Sequence, residues 1–255
     1  MNTPFHGVFF IAAVMVLSLL GLVLVRRYVE ISSLKRHHEV ASNFFLMLGT
    51  LYAVLIAFAV FAVWSDFKDA GNNLEREASE VAGLYQMSAA FPDPLRSNIR
   101  ASLLEYVKAV VEDDFPAMAA GREGRRCTQA IRSLWAAYGN GEPTTLKEQI
   151  YYAESLKQLN ELANYRRIRL FTSRGTVPNL LWWLLCTGGI LLIAFTYFFG
   201  HESLRSQAIM TAALAGMLAF SLFLIFAFDS PYAGAARVSP APFELELKYA
   251  QAGGK

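Results

Sequence analysis

The chain has 255 residues, 55% of them hydrophobic and only 17% charged, a balance too apolar for an ordinary soluble domain and opposite to that of a disordered one. Its formal net charge is +2, and segment 65–178 carries as many acidic as basic residues, so there is no basic field of the kind that holds nucleic acid, and no nucleic-acid partner is expected. The 2 cysteines, one in a polar segment and one in an apolar run, form no disulfide framework, and with no CxxC or zinc-type Cys/His spacing neither a metal nor a cofactor is expected.

In chain order, residues 8–25 are the first of four apolar stretches without a charged side chain, each close to the ~20 residues a helix needs to cross a hydrocarbon core. No Lys or Arg precedes this stretch, it exceeds the usual length of a signal-peptide core, and Arg26 and Arg27 follow it, so it reads as a retained first transmembrane helix. The loop that follows carries Arg26, Arg27, Lys35 and Arg36, then His37, His38 and Glu39. Neighbours in sequence do not face one another on a helix, so this His-His-Glu run reads as a polar loop or headgroup contact rather than a metal site.

The second stretch, residues 44–64, spaces Gly49, Ala53 and Ala57 four residues apart. Such a row lets helices approach closely in lipid, either inside one subunit or at a subunit seam. Phe58, Phe61 and Trp64 at its far end suit either a dewetting constriction or a lipid-facing belt. Beyond it, Ala70, Leu74, Ala78, Val81 and Tyr85 keep a helical period, which predicts that the helix runs on until Pro92-Asp93-Pro94. A second helix carrying Leu95, Ile99, Leu103, Tyr106 and Val110 is expected to stop at Phe115-Pro116. A shorter third carries Ile131, Leu134 and Tyr138, and Thr145 with Glu148 forms a capping-box pattern for a fourth. The third and fourth apolar stretches, 180–199 and 208–228, complete two pairs of spans, and Ala212 and Gly216 repeat the small-residue spacing in the last.

The spans lack ionisable side chains, which argues against a proton relay or an ion-coupled transporter. Carboxylates gather at their ends instead: Asp66 and Asp69 after the second, Glu77 further along, Asp229 at the end of the fourth. In a symmetric oligomer each would form a ring able to concentrate cations at a pore mouth, and in a monomer each would be part of a solvated face. No GxSxG, HExxH or phosphate-binding glycine loop occurs, so no enzymatic activity is expected. Arginines in the short loops, Arg205 included, place those loops in the cytoplasm and the termini and polar segment outside, while Arg166, Arg167, Arg169 and Arg174 argue the reverse.

Across nearly its whole length the chain resembles the bacterial bestrophin-like domain family. The matching runs are Arg26-Arg27, His37-His38-Glu39-Val40-Ala41, Gly49-Thr50-Leu51-Tyr52-Ala53-Val54-Leu55, Trp64-Ser65-Asp66-Phe67, Glu75-Arg76-Glu77-Ala78-Ser79 and Leu84-Tyr85, then Tyr106 to Glu112, Arg166-Arg167-Ile168-Arg169-Leu170, Gly200 to Gln207 and Asp229-Ser230-Pro231-Tyr232-Ala233-Gly234. Bestrophins proper, which are more distantly similar, are oligomeric anion channels with a cytoplasmic helical domain. The resemblance together with the residue pattern gives one expectation of architecture: an all-α membrane protein, four transmembrane helices in two pairs, with an extramembrane helical bundle inserted between spans 2 and 3. The expected divisions are 1–64, 65–178, 179–228 and a tail 229–255. The expected function is a homo-oligomeric ion channel or channel-like permeation protein of the bacterial inner membrane, acting on inorganic ions, with pore candidates Asp66, Asp69, Glu77, Asp229, Phe58 and Phe61 and helix-interface candidates Gly49, Ala53, Ala57, Ala212 and Gly216. The alternative is a non-conducting sensor or scaffold that binds a partner or lipid through its bundle.

Overall fold

The computed structural model of the protein describes residues 4–29, 38–199, 203–234 and 236–252. Lys35, Arg36 and His37 in the first loop, and Gly200, His201 and Glu202 in the second, lie outside the described residues. In order the chain forms α1 (Pro4–Tyr28), α2 (His38–Met87), a 3₁₀ turn (Ser88–Ala90), α3 (Leu95–Ala109), a π-helical turn (Val110–Asp114), α4 (Phe115–Ala119), α5 (Arg125–Gly139), α6 (Leu146–Thr172), α7 (Asn179–Tyr197), α8 (Leu204–Asp229) and α9 (Ala241–Ala252). Helix α2 holds 50 residues and is about 75 Å long at 1.5 Å per residue. Among the described residues four helices, α1, α2, α7 and α8, are long and apolar enough to cross a membrane.

The chain divides into two compact units. The first comprises Met1–Ser65 and Thr176–Asp229. Its helices close on one another through glycines that receive large side chains. A Cβ on Gly7 would meet the Phe223 ring at 2.5 Å, one on Gly216 the Met15 sulfur at 3.2 Å, and one on Gly21 the Tyr197 hydroxyl at 2.6 Å. These contacts seat α1 on α8 and α7. Gly188 and Gly189 take the Tyr52 ring, whose hydroxyl donates to the Leu185 carbonyl at 2.6 Å, and this ties α2 to α7. Near the chain's first loop the Arg26 guanidinium donates to the Gln207 amide oxygen, and Gln207 in turn donates to the Thr196 carbonyl at 2.9 Å. Close backbone approach suits a lipid setting, where apolar area drives no association between helices and shape complementarity must.

The second unit comprises Asp66–Gly175 and Ser230–Lys255. Its core gathers Leu74, Ile99, Leu103, Tyr106, Leu134 and Tyr138, periodic positions read from the sequence, together with Leu84, Phe91, Leu159 and Leu162, while Tyr85 packs at its edge. The capping box forms: Thr145 Oγ1 accepts from the Glu148 N–H at 3.2 Å, and the Glu148 carboxylate accepts from the Thr145 N–H. Two features differ from expectation. The segment expected to be a tail contributes Tyr232 and Phe243 to this core, with the Tyr232 hydroxyl donating to the Ala70 carbonyl at 3.2 Å. The helix expected to end at Phe115-Pro116 instead widens into the π-helical turn and continues, because Pro116 stands in the first turn of α4, where a missing N–H costs nothing.

Candidate functional site

Two arrangements stand out, one on the outer surface of α2 and one in the core of the second unit. On α2, Tyr52, Ala59 and Val63 form the buried face. The opposite side carries Met47, Leu51, Val54, Phe58 and Phe61, spaced four, three, four and three residues apart, each half or more exposed, with Phe58 and Phe61 at 70%. A 3.5-residue repeat is what a helix shows when it packs along neighbours in a bundle. Beyond residue 64 the row continues through Lys68, Asn72, Glu75 and Ser79, all exposed, so its chemistry changes from apolar to polar along one helix.

The small-residue rows part company. Ala53 and Ala57 are exposed and Gly49 is half-buried, with nothing among the described residues within 4 Å of where its Cβ would lie. Ala212 and Gly216 are half-buried, and Gly216 packs on Met15 of α1. Of the carboxylates, Asp69 is exposed and Asp66 half-buried. The Asp229 carboxylate accepts the Thr176 and Val177 N–H groups at 2.9 and 2.8 Å and so fixes the turn that enters α7. Arg174 pairs with Glu123 at the surface. Glu77 is not on the exposed side of α2 at all: it is fully buried.

Glu77 belongs to the second arrangement. Arg169, 1% exposed, donates from Nε to Glu77 Oε2 at 2.8 Å and from Nη2 to Glu77 Oε1 at 3.1 Å, a two-pronged pair, and from Nη2 to Asp114 Oδ2 at 2.9 Å. The Tyr106 hydroxyl also donates to Glu77, and the Phe115 ring lies 6.0 Å from the guanidinium. The π-helical turn is what swings Asp114 inward to reach Arg169. Arg166 stands beside it, donating to Thr128 Oγ1 at 2.9 Å and to the Cys127 sulfur at 3.3 Å, with Asp114 Oδ2 at 3.8 Å.

Burial and the neighbouring Glu77 carboxylate push the Tyr106 phenol well above its ordinary range, so it stays a proton donor. Burial opposes the charge on Arg169, yet Glu77, Tyr106 and Asp114 together hold it well above the usual arginine value. Burial, reinforced by Asp114, raises the Cys127 thiol to about 12, which leaves it neutral and unreactive. Asp114 Oδ1 has no hydrogen-bond partner among the described residues. It packs instead against Gly124, where a Cβ would come within 2.2 Å of it. This network sets two guanidinium groups against two carboxylates, with Glu77, Asp114 and Arg169 buried and Arg166 partly so, and its chemistry is that of a structural lock. No group of three His, Cys, Asp or Glu side chains able to hold a metal occurs among the described residues.

Sequence reasoning had marked Glu77 as a candidate but not its partners, although a signal was present. Glu77 falls in register with Leu74, Val81 and Leu84, and Arg166 and Arg169 continue the row of Ser155, Leu159 and Leu162. Charges in two apolar rows of one unit point to a buried pair.

Four membrane-length helices joined to an all-helical second unit define the class, a multi-pass α-helical membrane protein. The chain belongs to the bestrophin-like domain family, whose family model matches residues 12–243. Among solved structures it is similar to a bacterial bestrophin homologue from Klebsiella pneumoniae. One point variant of that protein gives a TM-score of 0.74 at 14% identity over 96% of this chain and 99% of that chain. A second gives 0.72 at 16% identity over 96% and 97%. At such identities the likeness establishes the fold. No curated protein matches the sequence.

Proposed function

We propose that the protein is a homo-oligomeric ion channel of the bacterial inner membrane, in which α2 of each copy turns its exposed row toward a central path and the second unit stands outside the hydrocarbon as a bundle inserted between two pairs of spans. The row on α2 supports this reading: apolar from Met47 to Phe61, then polar from Lys68 to Ser79, and exposed among the described residues. An apolar constriction followed by a polar vestibule is an arrangement that conducts when wetted. Beside the row, Gly49, Ala53 and Ala57 give the neighbouring copy a surface it can approach closely. Spans without ionisable side chains suit passive permeation rather than coupled transport. Phe58 and Phe61 form the constriction, and Asp66 and Asp69 are the carboxylates nearest its mouth in sequence. Glu77 and Asp229 are occupied by contacts within their own units and act as supports.

For orientation, the reading keeps the bundle and termini on the outer side. The arginines that argued for the cytoplasm are largely engaged, Arg169 and Arg166 in the core network and Arg174 with Glu123, whereas Arg27 in the first short loop is exposed. A reporter fused after Lys255 tests this: alkaline phosphatase activity agrees, and fluorescence from a reporter that matures only in the cytoplasm reverses it.

The function is tested by purifying the protein, measuring oligomer mass, and reconstituting it into liposomes under a salt gradient. Ion flux that disappears when the protein is omitted supports the channel. A stable oligomer without flux favours a non-conducting sensor or scaffold.

A further inference from the structure

The second unit holds a cavity of about 390 Å³ between the end of α2, the middle of α3 and the C-terminal helix α9. That size lies within the roughly 300–1,000 Å³ of small-molecule sites. Its floor is apolar, made by Val81, Leu103, Leu104 and Val107, with Leu247 opposite. Two charged groups face into it from different helices, Arg100 from α3 and Glu246 from α9.

Arg100 is held on two sides. Its Nε donates to Ser88 Oγ at 2.9 Å, and its guanidinium carbon lies 4.6 Å from the centre of the Tyr85 ring. These contacts fix the fork but supply no counter-charge. Among the described residues no carboxylate lies within ion-pair distance of Arg100, and no cation within that distance of Glu246. Burial pushes the Glu246 carboxyl up, as befits an acid without a cation beside it. Elsewhere in this unit buried charges are closely matched: Arg169 meets Glu77 and Asp114. Here a cation and an anion, each half-buried, border one largely apolar space without an ion pair to either, an arrangement that a ligand bearing both charges and an apolar body would complete.

We propose that this cavity binds a small zwitterion with an apolar side chain, of the α-amino acid class, its carboxylate held by Arg100, its ammonium by Glu246 and its side chain against Leu103, Leu104 and Val107. The site lies wholly within the second unit and does not depend on whether the protein conducts ions. Because α9 supplies one wall, occupancy ties the C-terminal helix to α2 and α3.

The test is calorimetric titration of the full-length protein in detergent with L-phenylalanine, beside 3-phenylpropanoate, which lacks the ammonium, phenethylamine, which lacks the carboxylate, and glycine, which lacks the side chain. Saturable binding of phenylalanine alone is expected. Arg100→Gln and Glu246→Gln should each weaken it by about tenfold or more, the loss of one charge-assisted contact, with helical content and oligomer mass unchanged in the absence of ligand. Leu104→Trp, which fills the floor without touching either charge, should abolish binding too. No saturable heat with phenylalanine or L-leucine up to about 10 mM overturns the proposal, being weaker than any useful affinity. So does binding of 3-phenylpropanoate as tight as that of phenylalanine, or binding that survives Glu246→Gln.

Discussion

The two units differ in the contacts that fix their helices. The first uses fit: Gly7, Gly21, Gly188 and Gly216 let a ring, a hydroxyl or a thioether lie directly on a helix backbone. The second adds charge: a guanidinium shared by two carboxylates, one of which also accepts from the Tyr106 hydroxyl, joins four segments at one point. The contrast is the one expected if the apolar helices lie in lipid and the second unit in water, as the proposed function has it. An ion placed among lipid chains is costly, whereas dispersion at close contact works there without help from water. In a water-exposed bundle apolar burial supplies the drive, and a buried ion pair adds a requirement for one particular arrangement of helices. The α2 row is exposed in the subunit, as are apolar side chains of α1, α7 and α8, and in the proposed channel it is the row that meets other copies.

The largest effect should come from breaking the lock in the second unit. Arg169→Leu strands Glu77 and Asp114 as uncompensated buried carboxylates and should cost about 3–5 kcal/mol, enough to lower the melting temperature sharply or prevent folding. Arg167→Leu, two residues away and exposed, is the control and should change little. Equal tolerance of both, measured by circular dichroism in detergent, would show that the network is ornamental.

Next in size is the fitted seam of the first unit. Gly188→Leu drives a side chain into the Tyr52 ring, which its hydrogen bond to Leu185 holds in place, and should cost about 1–3 kcal/mol by overpacking. Oligomer mass should be retained, since the contact lies within one chain.

The α2 row should respond the other way round. Ala53→Leu should leave the subunit's own melting nearly unchanged, because Ala53 is exposed, while lowering the yield of detergent-resistant oligomer. If Ala53→Leu and Gly188→Leu have the same effect on oligomer mass, the distinction between an internal seam and an external one fails.

The smallest effect concerns Glu80. Burial, then Glu161 and Glu154, raise its pKa above the unfolded value, with Lys157 opposing. A carboxyl with a raised folded pKa favours the folded state below its unfolded pKa, and that contribution is lost as pH rises through the folded value. Glu80→Gln should therefore raise the melting temperature slightly at pH 7 and not at all near pH 4. A uniform shift at both values would assign the effect to something other than charge.

How much of this was legible in the sequence varies with the kind of feature. The spans, the unbroken α2 and the Thr145–Glu148 cap were legible because each is local: length, period and spacing determine them. The rows of Gly49 and Gly216 look alike in sequence and differ in fate, since the pattern records that a helix can be approached but not by what. The π-helical turn was hidden because proline marks a boundary in one register and a first turn in another. Tyr232 and Phe243 join the core from a stretch too short and too irregular to show a period, so their burial depends on contacts distant in sequence.

The central claim is that Phe58 and Phe61 line a conducting path, and modification of a single introduced thiol tests it most directly. Cys127 is buried and Cys186 exposed, so Cys186→Ala removes the accessible native thiol. In that background Phe61→Cys should give a current across planar bilayers that a membrane-impermeant thiol reagent reduces within seconds, while Phe9→Cys, exposed on α1, should give a current the reagent leaves unchanged. A confirmed oligomer that carries no current, or a current equally indifferent to modification at both positions, would contradict the account.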